Sequence, residues 1–294
     1  MTGRGTPMRL LVTGAGGQLG HDVVAAATGA GDDVVGADRA ALDVTDRDAV
    51  LGAITSLRPD AVVNAAAWTA VDACESDPQR AFTSNGLAVR WIAEACDRVG
   101  AHLVHVSTDY VFDGTLARPY HEWDVTNPLS VYGASKLAGE REAQALGTAV
   151  TVVRTSWVCG EHGTNMVRTI MRLAGSSDAT PGSLAFVDDQ RGHPTLTADL
   201  APLLRRLARE RRSGLYHATN QGAVSWYEFA REVVSAMGRD PALVRPIATA
   251  ELQPPRPAPR PANSVLENAA LAAAGVPLLD DFRAPLRSLV TALS

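Results

Sequence analysis

Long apolar runs are missing from this 294-residue chain; its hydrophobic stretches are strand-sized or are interrupted by glycine and charge well short of a membrane span. No secretory hydrophobic segment precedes the first strand-like run, so neither membrane insertion nor export is expected. Cysteine is scarce. Cys74, Cys96 and Cys159 are an odd number at no metal-ligand or C-x-x-C spacing, which argues against a disulfide scaffold and reads as reduced thiols in a cytoplasmic protein. Positive charge is not in excess: Lys+Arg 27 against Asp+Glu 32 leaves a net charge of −5, which argues against a nucleic-acid or anionic-membrane partner. Aromatics make up only 5%, yet 46% hydrophobic residues over this length suffice for a sizeable core in one large or two modest domains.

What is present is alternation. Strand-like runs at Arg9–Thr13, Asp33–Asp38, Ala61–Asn64, His102–Ser107 and Ala149–Arg154 are separated by helical periodicity at Gln18–Thr28, Thr45–Leu57, Gln79–Val99 and Val131–Ala145. Thr45-x-x-Asp48 reads as a capping box opening the second helix. Such βαβ succession predicts an α/β fold, a Rossmann-like doubly wound parallel sheet, with a smaller C-terminal substrate-binding lobe. Residues 8–158 are expected to form the dinucleotide-binding domain, to which later segments return, and 159–294 mainly the substrate lobe. The lead over residues 1–7 is expected to be mobile, and the proline-rich Gln253–Ala262 to be a stiff connector without chemistry. His102, His105 and His217 sit in apolar strands and read as core histidines rather than ligands.

The chemistry begins where the first strand ends. Thr13-Gly14-Ala15-Gly16-Gly17-Gln18-Leu19-Gly20 runs from strand into helix, and glycines at 14, 17 and 20 permit a tight turn, close approach to a pyrophosphate and close helix–strand packing. No Gly-Lys-Ser/Thr follows, which disfavours a nucleoside-triphosphate P-loop. Asp38, ending the second strand, is placed to accept from an adenosine ribose and favours NAD(H); Arg39 beside it suits a 2′-phosphate and admits NADP(H). Tyr132-Gly133-Ala134-Ser135-Lys136 puts a phenol and an ammonium at i and i+4, on one helix face. The ammonium is expected to lower the phenol's pKa from about 10 towards neutrality, as suits a proton donor to a carbonyl. Thr108, at the carboxyl end of a central strand, is placed to hold the same carbonyl oxygen.

On these residues the chain resembles the extended short-chain dehydrogenase/reductase family. The likeness continues through N-A-A-A-W-T-A-V-D from Asn64, S-T-D-Y-V-F-D-G from Ser107, V-Y-G-A-S-K-L-A-G-E from Val131, R-T-S-W-V from Arg154, D-D-Q-R-G-H-P-T from Asp188, S-W-Y-E-F-A from Ser225 and R-P-A-N-S from Arg260. It implies that Thr108, Tyr132 and Lys136 are the catalytic trio. It implies that Gly17, Gln18 and Leu19 contact the dinucleotide, that Asp38, Asp43 and Val44 lie on its adenosine side, and that Ala67, Trp68 and Thr69 line its path. Asp109 and Trp157 are implied to face a dTDP-sugar substrate, whose 4-keto group NADPH or NADH would reduce. Ala67 and Val44 also read as packing residues; Trp157 also reads as core, but an aromatic at that loop-facing position is favoured to pack on a sugar or base. Some members of the family bridge a dimer with magnesium held by glutamates; this chain ends Val290-Thr291-Ala292-Leu293-Ser294 without a side-chain carboxylate, so magnesium is not predicted, and a monomer is favoured over a homodimer. Two other readings stay open: an epimerase or dehydratase of another nucleotide sugar, and a non-catalytic dinucleotide-binding regulatory subunit.

Overall fold

The computed structural model describes residues 6–146 and 149–294, so residues 1–5 of the expected mobile lead lie outside the described residues. Six parallel strands form the central sheet: β1 Arg9–Thr13, β2 Asp33–Ala37, β3 Ala61–Asn64, β4 His102–Thr108, β5 Val150–Thr155 and β6 Gly214–His217, in the order β6-β5-β4-β3-β1-β2. The helices bearing on the argument are α1 Gln18–Gly29, α2 Arg47–Leu57, α3 Ala88–Val99, α4 Val131–Ala145, α5 Met166–Ala174, α6 Thr197–Arg209, α7 Trp226–Ala236 and α8 Arg283–Leu293. β3 and β4 are buried along nearly their whole length, as parallel strands covered on both faces must be. On one face α1 and α6 cover the sheet; Leu200, Leu204 and Leu207 recur at helical spacing along α6 and are wholly buried, each contributing about 1.5–3 kcal/mol. On the other face α2, α3 and the end of α4 contribute Ile54, Ile92 and Ala143. A separate core joins α5, α7 and α8 through Ile170, Phe229, Val233 and Leu286.

Local corrections follow from hydrogen bonding. The second helix starts after Asp46, whose side chain accepts from Ala49 N, whereas Thr45 turns back to Asp43 and forms no capping box. Asp46 prevails because its carboxylate reaches an unpaired first-turn N–H. The single helix expected over Gln79–Val99 is instead Pro78–Phe82, a π-turn at Thr83–Leu87 and then α3. Nor is Gln253–Ala262 a plain spacer. Arg260 pairs through both guanidinium nitrogens with Asp72 at 2.6 and 2.8 Å, and Ala258 N donates to the same carboxylate at 3.1 Å. The three expected core histidines are buried and hydrogen-bonded, and burial pushes His102 down to about 4. All three cysteines are free and buried. Among the described residues no helix is long and apolar enough to cross a membrane.

Candidate active site

The chain reverses direction across the sheet between β1 and β3, which opens a crevice beyond the carboxyl ends of the strands. Two adjoining cavities occupy it, of about 440 and 550 Å³. Gly14, Asp38, Arg39, Asp43, Val44 and Trp68 line the first. Gln18, Leu19, Thr69, Thr108, Asp109, Tyr132, Lys136 and Trp157 line the second, and Gly17 and Ala67 border both. Every site residue expected from the sequence therefore lies on one continuous cleft.

The glycine turn has the geometry a pyrophosphate requires. Gly14 has φ of +71°, and a Cβ there would meet Ala66 N at 2.7 Å; one at Gly20 would run into the Gly14 carbonyl. Gly17 caps α1 with no side chain over its first N–H groups, leaving them open to an anion. At the far end of the first cavity Asp38 Oδ1 accepts from Ala40 N and Ala41 N at 3.0 and 2.9 Å. Arg39, largely exposed, lies 3.6 Å from Asp43. Hydrogen bonds from Thr45 hold the Asp43 carboxyl below its usual range, with Arg39 adding to them.

The second cavity gathers the reactive groups. Ser130 caps α4 by accepting from Gly133 N at 3.1 Å, and so sets the first turn on which Tyr132 stands. Thr108 Oγ1 donates to Asp109 Oδ1 at 3.0 Å. The other oxygen of Asp109 is buried without a partner, as is Thr155 Oγ1 on the same wall. Burial pushes the Asp109 carboxyl up to about 6, against the hydrogen bond from Thr108. The expected lowering of the Tyr132 phenol is overturned. Burial raises it above its ordinary range, hydrogen bonding with Thr108 opposes, and Asp109 adds to the rise. Lys136 Nζ donates to the Val106 carbonyl at 2.7 Å, and burial brings the ammonium down to about 8 despite Glu140. Desolvation is the largest cause of both shifts, because each group loses the water that stabilises its charge.

Several wall residues escaped the sequence reading. Trp226 stacks on Trp157 with ring centroids 3.6 Å apart and planes 9° apart, and both face the cavity. It lies inside the S-W-Y-E-F-A stretch, to which no site role was attached. Trp157 has φ of +44° and packs where a side chain at Gly192 would sit. Asn85, in the π-turn, accepts from Trp68 N at 2.8 Å and donates to Trp68 O and Ser135 Oγ at 3.1 and 3.0 Å, tying the first cavity's wall to α4. Arg80 lies 4.3 Å over the Trp68 ring. Gln18, expected to face the dinucleotide, also spends its side chain on Gly160 N, Thr164 O and Asn165 Nδ2.

Comparison with known proteins agrees with this architecture. A dTDP-4-dehydrorhamnose reductase of Streptomyces griseus is 44% identical over 291 residues, covering 97% of this chain and 94% of that protein. A dTDP-4-keto-6-deoxy-D-glucose reductase of Streptomyces niveus is 43% identical over 252 residues, covering 84% and 86%. The crystal structure of dTDP-4-dehydrorhamnose reductase from Bacillus anthracis in complex with NADP matches with a TM-score of 0.92 at 33% identity, covering 97% of this chain and 99% of that one. The family described as the RmlD substrate binding domain matches residues 8–294, and with that span and these relatives the chain belongs to it.

Proposed function

We propose that this chain reduces the C4 keto group of dTDP-4-dehydro-β-L-rhamnose to give dTDP-β-L-rhamnose, with NADPH or NADH as hydride source. The observation that carries the reading is the trio Thr108, Tyr132 and Lys136 at the end of a cleft that begins at an open helix N-terminus. The likeness to reductases of 4-keto sugar nucleotides supports it. The residues suit a dinucleotide: the glycine cradle admits a pyrophosphate, and Asp38 and Arg39 stand where an adenosine ribose would end. When bound, reduced nicotinamide supplies the hydride.

The chain's own groups do the rest. Thr108 and Tyr132 hold the ketone oxygen, and Tyr132 gives it a proton as negative charge develops. Its raised pKa keeps the phenol protonated at neutral pH, the form a donor needs. Lys136, as ammonium, stabilises the phenolate left behind. Asp109 offers a buried carboxylate oxygen to a sugar hydroxyl, and the paired rings of Trp157 and Trp226 give the sugar nucleotide a flat apolar wall. Three buried free thiols support a reducing, cytoplasmic compartment.

A dehydratase needs a base after the Thr-Asp pair. Here that place belongs to Tyr110, pushed up to about 12 by burial, so it is neutral and unable to take a proton at pH 7. Purified protein supplied with the 4-keto-rhamnose nucleotide should therefore consume one NADPH per sugar. Conversion of dTDP-glucose to a 4-keto-6-deoxy product without added reduced cofactor would replace the reductase reading with a dehydratase.

Two further results are expected. Lys136 loses its proton near pH 8, so kcat for reduction should hold below that pH and fall above it as the ammonium disappears. Lys136→Arg, with a guanidinium that stays charged, should keep residual activity level across that range; a wild-type profile level to about pH 10 would remove Lys136 from this role. Arg39→Ala should shift the ratio of kcat/KM values towards NADH, because the exposed guanidinium beside Asp38 suits a 2′-phosphate. An unchanged ratio would show that Arg39 does not reach the cofactor.

A further inference from the structure

The first turns of α1 carry a second constellation beside the cofactor turn, centred on two side chains, His21 and Asp22, that line neither cavity. Gln18, His21 and Asp22 are three and four residues apart and share one face of the helix, and that face meets residues 160–165. Gln18 spans this segment: its Oε1 accepts from Gly160 N at 3.0 Å and Asn165 Nδ2 at 2.9 Å, and its Nε2 donates to Thr164 O at 3.1 Å. Beside it the ring of His162 lies against that of His21, with centroids 3.4 Å apart and planes tilted by 39°. Asp22 completes the group, with Oδ1 3.4 Å from His21 Nδ1 and Oδ2 accepting from the Thr197 hydroxyl. One ligand atom from each of His21, Asp22 and His162 lies within 4.8 Å of the other two.

Two imidazoles and one carboxylate make an N₂O donor set. Such a set suits zinc and its late first-row neighbours, and does not suit magnesium, which prefers oxygen ligands throughout. His21 is exposed and the other two are half-buried, so a fourth position remains open to water. The Thr197 hydroxyl on Asp22 fixes the carboxylate from behind, in the way outer partners orient metal ligands. We propose that His21, Asp22 and His162 bind one zinc-class divalent cation, which ties the N-terminal part of α1 to residues 160–165. Gly163 and Thr164 of that segment line the second cavity together with Gly17 and Gln18, so the bound ion restrains two segments of its lining against each other.

The test uses the untagged full-length protein, titrated calorimetrically with zinc chloride in the presence and absence of excess magnesium chloride, beside the variant H21Q/H162Q. Wild type should bind one zinc ion per chain that magnesium does not displace. The variant should bind at least about tenfold more weakly, since even outer-partner changes cost 10–100-fold. Zinc should also slow amide exchange over residues 160–165 in the wild type alone. Both histidines lie outside the groups assigned to hydride and proton transfer, so reductase activity without added metal should match wild type and report a folded variant. Should the double variant lose its thermal transition, His162→Gln alone repeats the comparison. No zinc binding in wild type, equal binding in the variant, displacement by magnesium, or exchange unaffected by zinc would each overturn the proposal. Because the readout is binding, the result is independent of which sugar the enzyme reduces.

Discussion

Tyr132→Phe should leave the fold and the cleft intact yet lower turnover by at least about 10²–10⁴-fold, the usual contribution of a positioned general acid. The ring is buried and meets Tyr110 edge-on at 5.6 Å, a contact that phenylalanine keeps. Only the hydroxyl beside Thr108 is lost, and with it the proton that the ketone oxygen must gain as hydride arrives. Water is a poor substitute in a pocket where burial is the main cause of the phenol's raised pKa. The measurement is steady-state NADPH oxidation with the 4-keto sugar nucleotide, together with cofactor affinity by fluorescence. Unchanged affinity with collapsed kcat is the expected result; near-wild-type kcat would remove Tyr132 from the role. Tyr110→Phe is the matched control, and should cost far less because the Tyr110 phenol is not part of the donor trio.

The second large effect concerns stability. Arg154 and Glu140 form an ion pair with side-chain exposures of only 4% and 3%. The guanidinium donates through Nε and Nη2 to the two carboxylate oxygens at 2.9 and 2.7 Å, and Ser107 Oγ donates to the same carboxylate at 2.5 Å. Glu140 lies one turn beyond Lys136 on α4, where its charge favours the ammonium. Arg154→Met leaves that carboxylate buried and unpaired, and should destabilise the fold by about 3–5 kcal/mol. Adding Glu140→Leu should restore much of the loss, since replacing both partners of a buried pair by apolar groups is often nearly neutral. Urea denaturation of the single and double variants measures both. A single variant as stable as wild type would show that the pair contributes nothing to the fold.

Much of this protein was legible before folding. The cleft positions of Asp38, just past β2, and Thr108, closing β4, follow from strand-sized apolar runs that stop at polar residues, a local signal. That Tyr132 and Lys136 share a face follows from helical periodicity alone. The glycine turn follows likewise, because only glycine tolerates φ of +71° against the backbone of Ala66. The break at Thr83–Leu87 was read through as helix although Thr83-Ser84-Asn85-Gly86 is a run of poor helix formers; that it becomes a π-turn directing Asn85 to Trp68 and Ser135 is set by those distant partners.

What tertiary structure alone decided concerns partners distant in sequence and the water they exclude. Trp157, in the turn after β5, shares its cavity wall with Trp226, which α7 stacks against it. Arg260, in its proline-rich segment, clamps Asp72, and His162 meets His21 from far along the chain. The direction of the Tyr132 shift belongs here too. Spacing on the helix put an ammonium within reach and pointed down, whereas the fold removed water from both groups, turned Lys136 to the Val106 carbonyl and pushed the phenol up. Periodicity specifies which side chains share a face, but a proton affinity depends on desolvation summed over every neighbour, and those neighbours arrive from all along the chain.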